Sequence, residues 1–254
     1  RQLYKKNSSV IYGYIDMVDS LADSYVNGLI MNFFINSGLL GIPIQDKMGE
    51  ELGVNVPWAV LMDPTSACNL NCKGCWAGKY SKSDTLEFDT LDRIINEGKE
   101  LGIYFYILSG GEPTIYPYLF DLFEKHDDCG FMMYTNGTLI DEDMVKKMVK
   151  VGNVSPALSL EGYQEATDDR RGEGVYDKVM TAMDILKENG VVFGASITAT
   201  RNNAEEIFEN DDFINMLVDK GVSYAWVFHY IPIGKDPNLD MMLRPEQRAM
   251  LARR

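Results

Sequence analysis

Cysteine is scarce in this chain of 254 residues: there are four. That is too few for a disulfide scaffold at this length, and no signal peptide is expected from these residues. A reducing cytoplasm is the expected compartment. Histidine is scarcer still, with two. No block of Lys and Arg relieves a net charge of −14, so nucleic acid is not expected as a general partner. No internal repeat or low-complexity tract stands out. Charge itself is missing from residues 24–45, "SYVNGLIMNFFINSGLLGIPIQ", a run long enough to cross a bilayer. Asn27, Asn32, Asn36 and Pro43 interrupt that run, and asparagine is costly in hydrocarbon. The segment therefore reads first as a helix packed on this domain or on a partner. Peripheral attachment to a membrane surface is the second reading.

What is present is ordinary for a globular protein, with 46% hydrophobic and 24% charged residues. The chain opens on Arg1 and stops at Arg254 after a helix-like "RPEQRAMLARR", which reads as a fragment of something longer. Residues 1–55 are expected to form a helical extension, with "GIPIQDKMGEELG" a short second helix ending at Gly53. Residues 56–254 are expected to form the core domain.

From Trp58 the text alternates between apolar runs and amphipathic stretches. "WAVLMDPT", "IYFYILS", "GFMMYTNG", "NVSPALSLEG", "VVFGASITAT" and "VSYAWVFHYIP" read as strands. "TLEFDTLDRIINEGKELG", "YPYLFDLFEKHDD", "DEDMVKKMVKVG", "GVYDKVMTAMDILKENG" and "NNAEEIFENDDFINMLVDKG" read as helices. Such alternation makes a mostly parallel sheet, either an open doubly wound one or a barrel. In both, ligands bind at the carboxyl ends of the strands. The unusual residues collect there: a cysteine loop after the first strand, "GGEP" after the second, "TNG" after the third and "SLEG" after the fourth.

The cysteine loop is "CNLNCKGCWAG", with Cys68, Cys72 and Cys75 spaced C-x3-C-x2-C. Structural zinc takes four protein ligands and catalytic zinc three. Iron–sulfur cubes normally take four thiolates. Three thiolates leave one iron without a protein ligand, free to bind a substrate or cofactor. Cys129, far away between Asp128 and Gly130, reads as a small buried residue.

C-x3-C-x2-C after the first strand, with GGEP after the second, resembles the radical S-adenosylmethionine (radical SAM) superfamily. The similarity spans about Trp58 to Pro232 and looks closest to the peptide- and cofactor-maturing branch. The resemblance implies an α/β fold, a partial (β/α)6 TIM-like barrel. It implies a 4Fe-4S cluster on Cys68, Cys72 and Cys75 and S-adenosyl-L-methionine (SAM) on the fourth iron. One electron then breaks a carbon–sulfur bond of the sulfonium, and the 5′-deoxyadenosyl radical takes hydrogen from a substrate: a peptide, a lipid or a small metabolite. An electron donor of flavodoxin or ferredoxin type is implied as partner. The resemblance further implies that Gly110 and Gly111 admit the methionine part of SAM and that Glu112 accepts from its ammonium. Ser159 and Arg171 would meet its ribose or carboxylate. Asn136, Thr198 and Ile231 are weaker candidates of the same kind. The aromatic residue that similar motifs carry before the last cysteine is here Gly74, with Trp76 one residue after Cys75. Tyr104, Tyr106, Tyr134, His229 and Tyr230 are candidate substrate contacts. The competing reading is a non-enzymatic iron–sulfur or zinc module for electron transfer or scaffolding, which would have no need of GGEP.

Overall fold

The computed structural model describes residues 18–253. Its centre is a sheet of six strands, β1 (Ala59–Met62), β2 (Phe105–Leu108), β3 (Gly130–Thr135), β4 (Val154–Leu160), β5 (Gly194–Ala199) and β6 (Tyr224–His229). All neighbouring pairs are parallel, and the spatial order is the chain order. A doubly wound sheet reverses its order partway, so this is the barrel-type alternative. The curl shows in the side chains. β3 and β6 lie three strands apart, about 14 Å in a flat sheet. Yet the rings of Tyr134 and Phe228 meet edge to face at 5.7 Å. Lower down, Tyr224 on β6 bonds the Ser155 hydroxyl on β4 at 2.7 Å. The sheet is a half-barrel with a concave inner face.

The connecting helices pack outside. They are α2 (Phe88–Glu100), α3 (Leu119–Lys125), α4 (Glu142–Val151), α5 (Gln164–Arg171), α6 (Val175–Glu188), α7 (Ala204–Phe208), α8 (Asp212–Asp219) and α9 (Pro245–Leu251). Strand alternation sends Tyr106, Leu108, Phe131, Met133 and Leu158 outward against them, all fully buried. From the helices come Leu91, Ile95, Leu122, Phe123, Val145 and Met183. Burying side chains of this kind contributes about 1.5–3 kcal/mol each before chain entropy is subtracted. α4 starts on a cap, the Asp141 carboxylate accepting from the Met144 amide at 2.9 Å.

Two helix expectations need correction. The stretch from Asn202 to Gly221 is two helices, α7 and α8. The Asn210 side chain accepts from the Asp212 amide at 2.9 Å, and this local bond replaces a helical one. The extension is also continuous where a break was expected: α1 runs Asp23–Leu52. It is α-helical to Gly28, π-helical over Leu29–Gly41 and α-helical from Ile42. Pro43 falls in the first α-helical turn after the change of winding, where a missing N–H costs least. Of the helical reading of the first residues, 1–17 lie outside the described residues.

α1 lies across the amino ends of the strands, opposite the rim that holds the cysteines. Its asparagines are spent there. Asn32 donates to the carbonyls of Asp127 (2.9 Å) and Cys129 (3.1 Å), and Asn36 to that of Asp128 (2.9 Å). Gln45 donates to the Gly102 carbonyl at 2.7 Å, and the Tyr25 hydroxyl to Val154 at 2.8 Å. Ile30, Met31, Phe34, Leu39 and Leu40 remain exposed on the other side. By length and composition α1 suffices to cross a membrane, but its polar side chains are committed to the barrel floor.

Candidate active site

The carboxyl-end rim encloses a cavity of about 440 Å³. It is lined by Cys68, Cys72, Cys75 and Trp76 of the loop after β1, and by Gly110, Gly111 and Glu112 after β2. Asn136, Ser159, Arg170 and Arg171, Thr198 and Ile231 complete the rim. Every residue the sequence nominates for cluster or nucleotide thus faces one space. The three cysteines are unpaired and partly buried. The fourth, Cys129, is fully buried at the opposite end of β3.

The GGEP turn serves the chain itself first. A Cβ on Gly111 would lie 2.1 Å from the Ala67 carbonyl oxygen, and one on Gly110 2.6 Å from that of Thr65. The two glycines let the turn zip onto the segment leading into Cys68. The Gly111 amide donates to Thr65 at 2.9 Å and the Glu112 amide to Ala67 at 2.7 Å. Gly110, at φ +107°, adopts a conformation other residues avoid. The Glu112 carboxylate is buried, and it is largely committed within the protein. Oε1 accepts from the Thr114 amide (3.1 Å) and from the hydroxyls of Thr114 and Thr135 (both 2.7 Å). Oε2 accepts from the Asn136 amide at 2.7 Å. Glu112 therefore joins the β2 rim to the β3 rim, Oε1 accepting three bonds and Oε2 one.

Asn136 extends that chain. Its side-chain Nδ2 donates to Asn69 Oδ1 at 2.8 Å, and its side-chain Oδ1 accepts from the backbone N–H and hydroxyl of Thr138. Asn69, between Cys68 and Leu70, donates in turn to the Thr138 hydroxyl at 2.9 Å. Sequence reasoning passed over Asn69; its signal was the paired asparagines of "CNLNC".

After β4, Arg171 does not present an open fork. Its Nε and Nη2 both donate to Glu161 Oε1, at 2.8 and 2.5 Å, and Arg170 Nη1 donates to the same oxygen at 2.5 Å. Arg170, read from sequence only as a neighbour, is as much a part of the rim as Arg171. Burial pushes the Cys72 thiol up, while the two guanidiniums pull it down. Burial also pushes the Cys68 thiol up, opposed by the Leu70 amide, which donates to its sulfur. Ser159 and Thr198 face the cavity from adjacent strands.

Just after β6, the buried Tyr230 lies against Gly74, where a Cβ would meet its ring at 2.6 Å. The space beside the missing loop aromatic is thus filled from the far end of the sheet. Trp76 stands half-exposed at the mouth, edge to face with Tyr80 at 5.7 Å. Of the substrate candidates, Tyr134, His229 and Tyr230 line the cavity. Burial raises the Tyr134 phenol to about 12. Tyr106 faces outward, its hydroxyl donating to the carbonyls of Ile95 and Ile103, and Tyr104 does not line the cavity.

The donor set can be tested against the group it is expected to hold. Among the described residues no three His, Cys, Asp or Glu side chains converge as ligands for a single ion. A lone zinc needs its thiolates within about 2.3 Å of one point. Three unpaired sulfurs ringing one cavity fit a larger polynuclear body.

Comparison with known proteins agrees with this geometry. An AdoMet-dependent heme synthase from Methanosarcina barkeri is 29% identical over 192 residues, 73% of this chain and 54% of that protein. The mycofactocin maturase MftC of Mycolicibacterium smegmatis is 28% identical over 165 residues, 63% of this chain and 42% of its own. The chain spans about half the length of the curated relatives it matches. Among solved structures, Streptococcus suis SuiB bound to S-adenosylmethionine superposes with a TM-score of 0.70, at 18% identity, over 85% of this chain and 51% of that one. The enzyme anSMEcpe with bound AdoMet and a peptide gives 0.63 at 22% identity, over 76% and 56%. These neighbours share the fold. The model of the radical SAM superfamily, a family of enzymes that use a 4Fe-4S cluster and SAM, matches residues 62–225, and the chain belongs to that superfamily.

Proposed function

We propose that Cys68, Cys72 and Cys75 of this chain ligate a 4Fe-4S cluster, and that the chain cleaves SAM reductively to abstract hydrogen from a substrate. The observation that carries this reading is the meeting of three unpaired thiols, the GGE turn and four strand ends in one cavity of about 440 Å³. Cys68, Cys72 and Cys75 would hold the cluster, which when bound would pass one electron from the external reductant to the sulfonium of SAM, and the cleaved SAM would supply the hydrogen-abstracting group. The chain's own residues bind, orient and shield. Gly110 and Gly111 place the turn against the ligand loop. Glu112 Oε2, with one bond from the chain, would accept from the amino group of SAM, and Ser159 and Thr198 would meet its ribose side. Asn136 keeps the β3 rim in register with Asn69. Trp76 and Ile231 narrow the mouth, and such enclosure limits loss of a radical to solvent.

The substrate is a peptide, a lipid or a small metabolite, and the inner wall it meets is largely apolar. Leu61, Ile107, Tyr134 and Phe228 present apolar surface around the serines of β4 and β5. A relative named Fe-coproporphyrin III synthase and a structural neighbour solved with a precursor peptide make a porphyrin and a peptide the first candidates to try. A reductant of flavodoxin or ferredoxin type feeds the site. Within the amino-terminal extension α1 closes the floor, and its exposed apolar side is a partner or membrane-surface contact.

Anaerobic reconstitution with iron and sulfide tests the core of this reading. Absorption at about 400 nm, lost in Cys72→Ala, is expected. So is 5′-deoxyadenosine on addition of dithionite and SAM. A colourless protein retaining zinc, or a cluster that leaves SAM intact, overturns it.

A further inference from the structure

The two arginines that end α5 are out of balance with their partner. Arg170 and Arg171 both converge on one oxygen of Glu161. Two guanidiniums against one carboxylate leave one positive charge uncompensated. The group is buried: 1% of the Glu161 side chain is exposed, 12% of Arg170 and 10% of Arg171. It is also incompletely satisfied, since Glu161 Oε2 and Arg170 Nε have no hydrogen-bond partner. A cation withdrawn from water in this way calls for a nearby anion. The cavity wall that both arginines share with Cys72 and Cys75 is where one would be met.

A second, covalently independent link joins the same elements. The amide of Lys73, next to Cys72, donates to the Arg170 carbonyl at 2.8 Å. The Lys73 ammonium reaches Asp169 at 2.5 Å. The limb carrying Cys72 is thus tied to the end of α5 by backbone, with the excess charge directly behind it.

We propose that Glu161, Arg170 and Arg171 form a charge clasp on the thiolate loop, holding the Cys72 limb and raising the reduction potential of the 4Fe-4S cluster. The inference rests on the cluster-binding reading above. A cluster ligated by thiolates is anionic, and each electron it accepts adds negative charge. A fixed cation in a low-dielectric wall favours the reduced form, and the net charge around a cluster is a recognised lever on its potential. In this role Arg170 and Arg171 are positioning residues, and the electron comes from an external donor.

The test is a dithionite titration of the reconstituted chain with redox mediators, the reduced cluster being read by electron paramagnetic resonance. Arg170→Gln keeps a hydrogen-bonding side chain and removes the charge. It is expected to lower the reduced-to-oxidised ratio at a fixed potential by about tenfold, equivalent to ~59 mV for one electron. Arg170→Lys is expected to restore most of the ratio, and Glu161→Gln to move it in the opposite direction. A loaded Arg170→Gln protein with the wild-type midpoint overturns the proposal. So does an equal shift in Arg170→Gln and Arg170→Lys, which would mark a geometric effect. If Arg170→Gln takes up no iron, Glu161→Gln decides by the sign of its shift. Failure of the wild-type chain to load a cluster would instead count against the reading on which the proposal rests.

Discussion

Glu112 distinguishes two jobs that look alike in a motif: greeting a ligand and holding the rim together. Its carboxylate accepts from two backbone amides and two hydroxyls, spanning the β2 and β3 rims. In Glu112→Gln the new amide nitrogen must face one of those backbone donors. Placed at Oε2 it opposes the Asn136 amide; flipped, it opposes the Thr114 amide. The two threonine hydroxyls can rotate to accept, but a backbone N–H cannot. One buried donor left unpaired costs about 1–3 kcal/mol, and weakening the remaining charge-assisted bonds adds to it. A loss of about 2–3 kcal/mol follows. For a chain of this size each kcal/mol lowers Tm by about 2–4 °C, so Glu112→Gln should melt roughly 4–12 °C below wild type. The measurement is a thermal melt followed by circular dichroism, on protein free of iron and SAM. That condition matters, because a residue whose only task is to accept from a ligand would leave the ligand-free melt unchanged. A Glu112→Gln melt within about 1 °C of wild type would refute the anchoring role.

The same zip predicts that Gly111→Ala, whose Cβ would sit 2.1 Å from the Ala67 carbonyl oxygen, breaks the bond between the Glu112 amide and Ala67. Iron bound per chain after reconstitution should fall, and wild-type iron content would contradict it. At the floor, Asn32→Leu removes the donor from the Asp127 and Cys129 carbonyls and should cost about 2 kcal/mol in urea unfolding. An unchanged midpoint would mean that α1 is not docked as seen. His126 is buried, and burial, aided by Lys99, holds its pKa below the ordinary value against the pull of Asp92 and Asp128. The unfolded chain therefore takes up that proton first, and stability should fall as pH drops below about 6.5. His126→Asn should remove that part of the slope, as read from urea midpoints between about pH 7 and 5; an identical slope would exclude His126 as its source.

Much of the fold could be read from the chain because its strands are continuous apolar runs closed by glycine or a polar turn. Runs of that kind are what a parallel sheet needs when helices cover its outer face and its inner face encloses an apolar cavity lined by Leu61, Ile107, Tyr134 and Phe228. Two helical stretches defeated the reading for opposite reasons. α5, "QEATDDRR", has no apolar stripe, and its place comes from Thr167 and from arginines folded back onto Glu161. α7 and α8 share an unbroken helical pattern that a single side-chain bond at Asn210 interrupts. The uncharged run at 24–45 was ambiguous because composition cannot say what an asparagine bonds to. Only the loop carbonyls at 127–129 answer that, and they lie more than ninety residues away in sequence.

The site divides along the same line. Cys68, Cys72 and Cys75 could be singled out as candidate ligands because groups that hold one body must be close together, and on this loop close in space is close in sequence. What holds the loop is not local. The β2 rim reaches it through the Glu112 amide on Ala67, the β3 rim through Asn136 on Asn69, and the end of α5 through the Arg170 carbonyl on the Lys73 amide. The segment after β6 adds the Lys235 amide on the Cys75 carbonyl at 3.1 Å and the Tyr230 ring on Gly74. Each tie is a long-range contact between loops that do not touch in sequence. A free loop of eleven residues would lose about 1–2 kcal/mol of backbone entropy per residue on closing around a cluster. Here the curled sheet bears that cost on folding, since its strand ends supply the ties. GGE therefore marks this site for two reasons: it borders the ligand space, and its two glycines let the second strand end close onto the first.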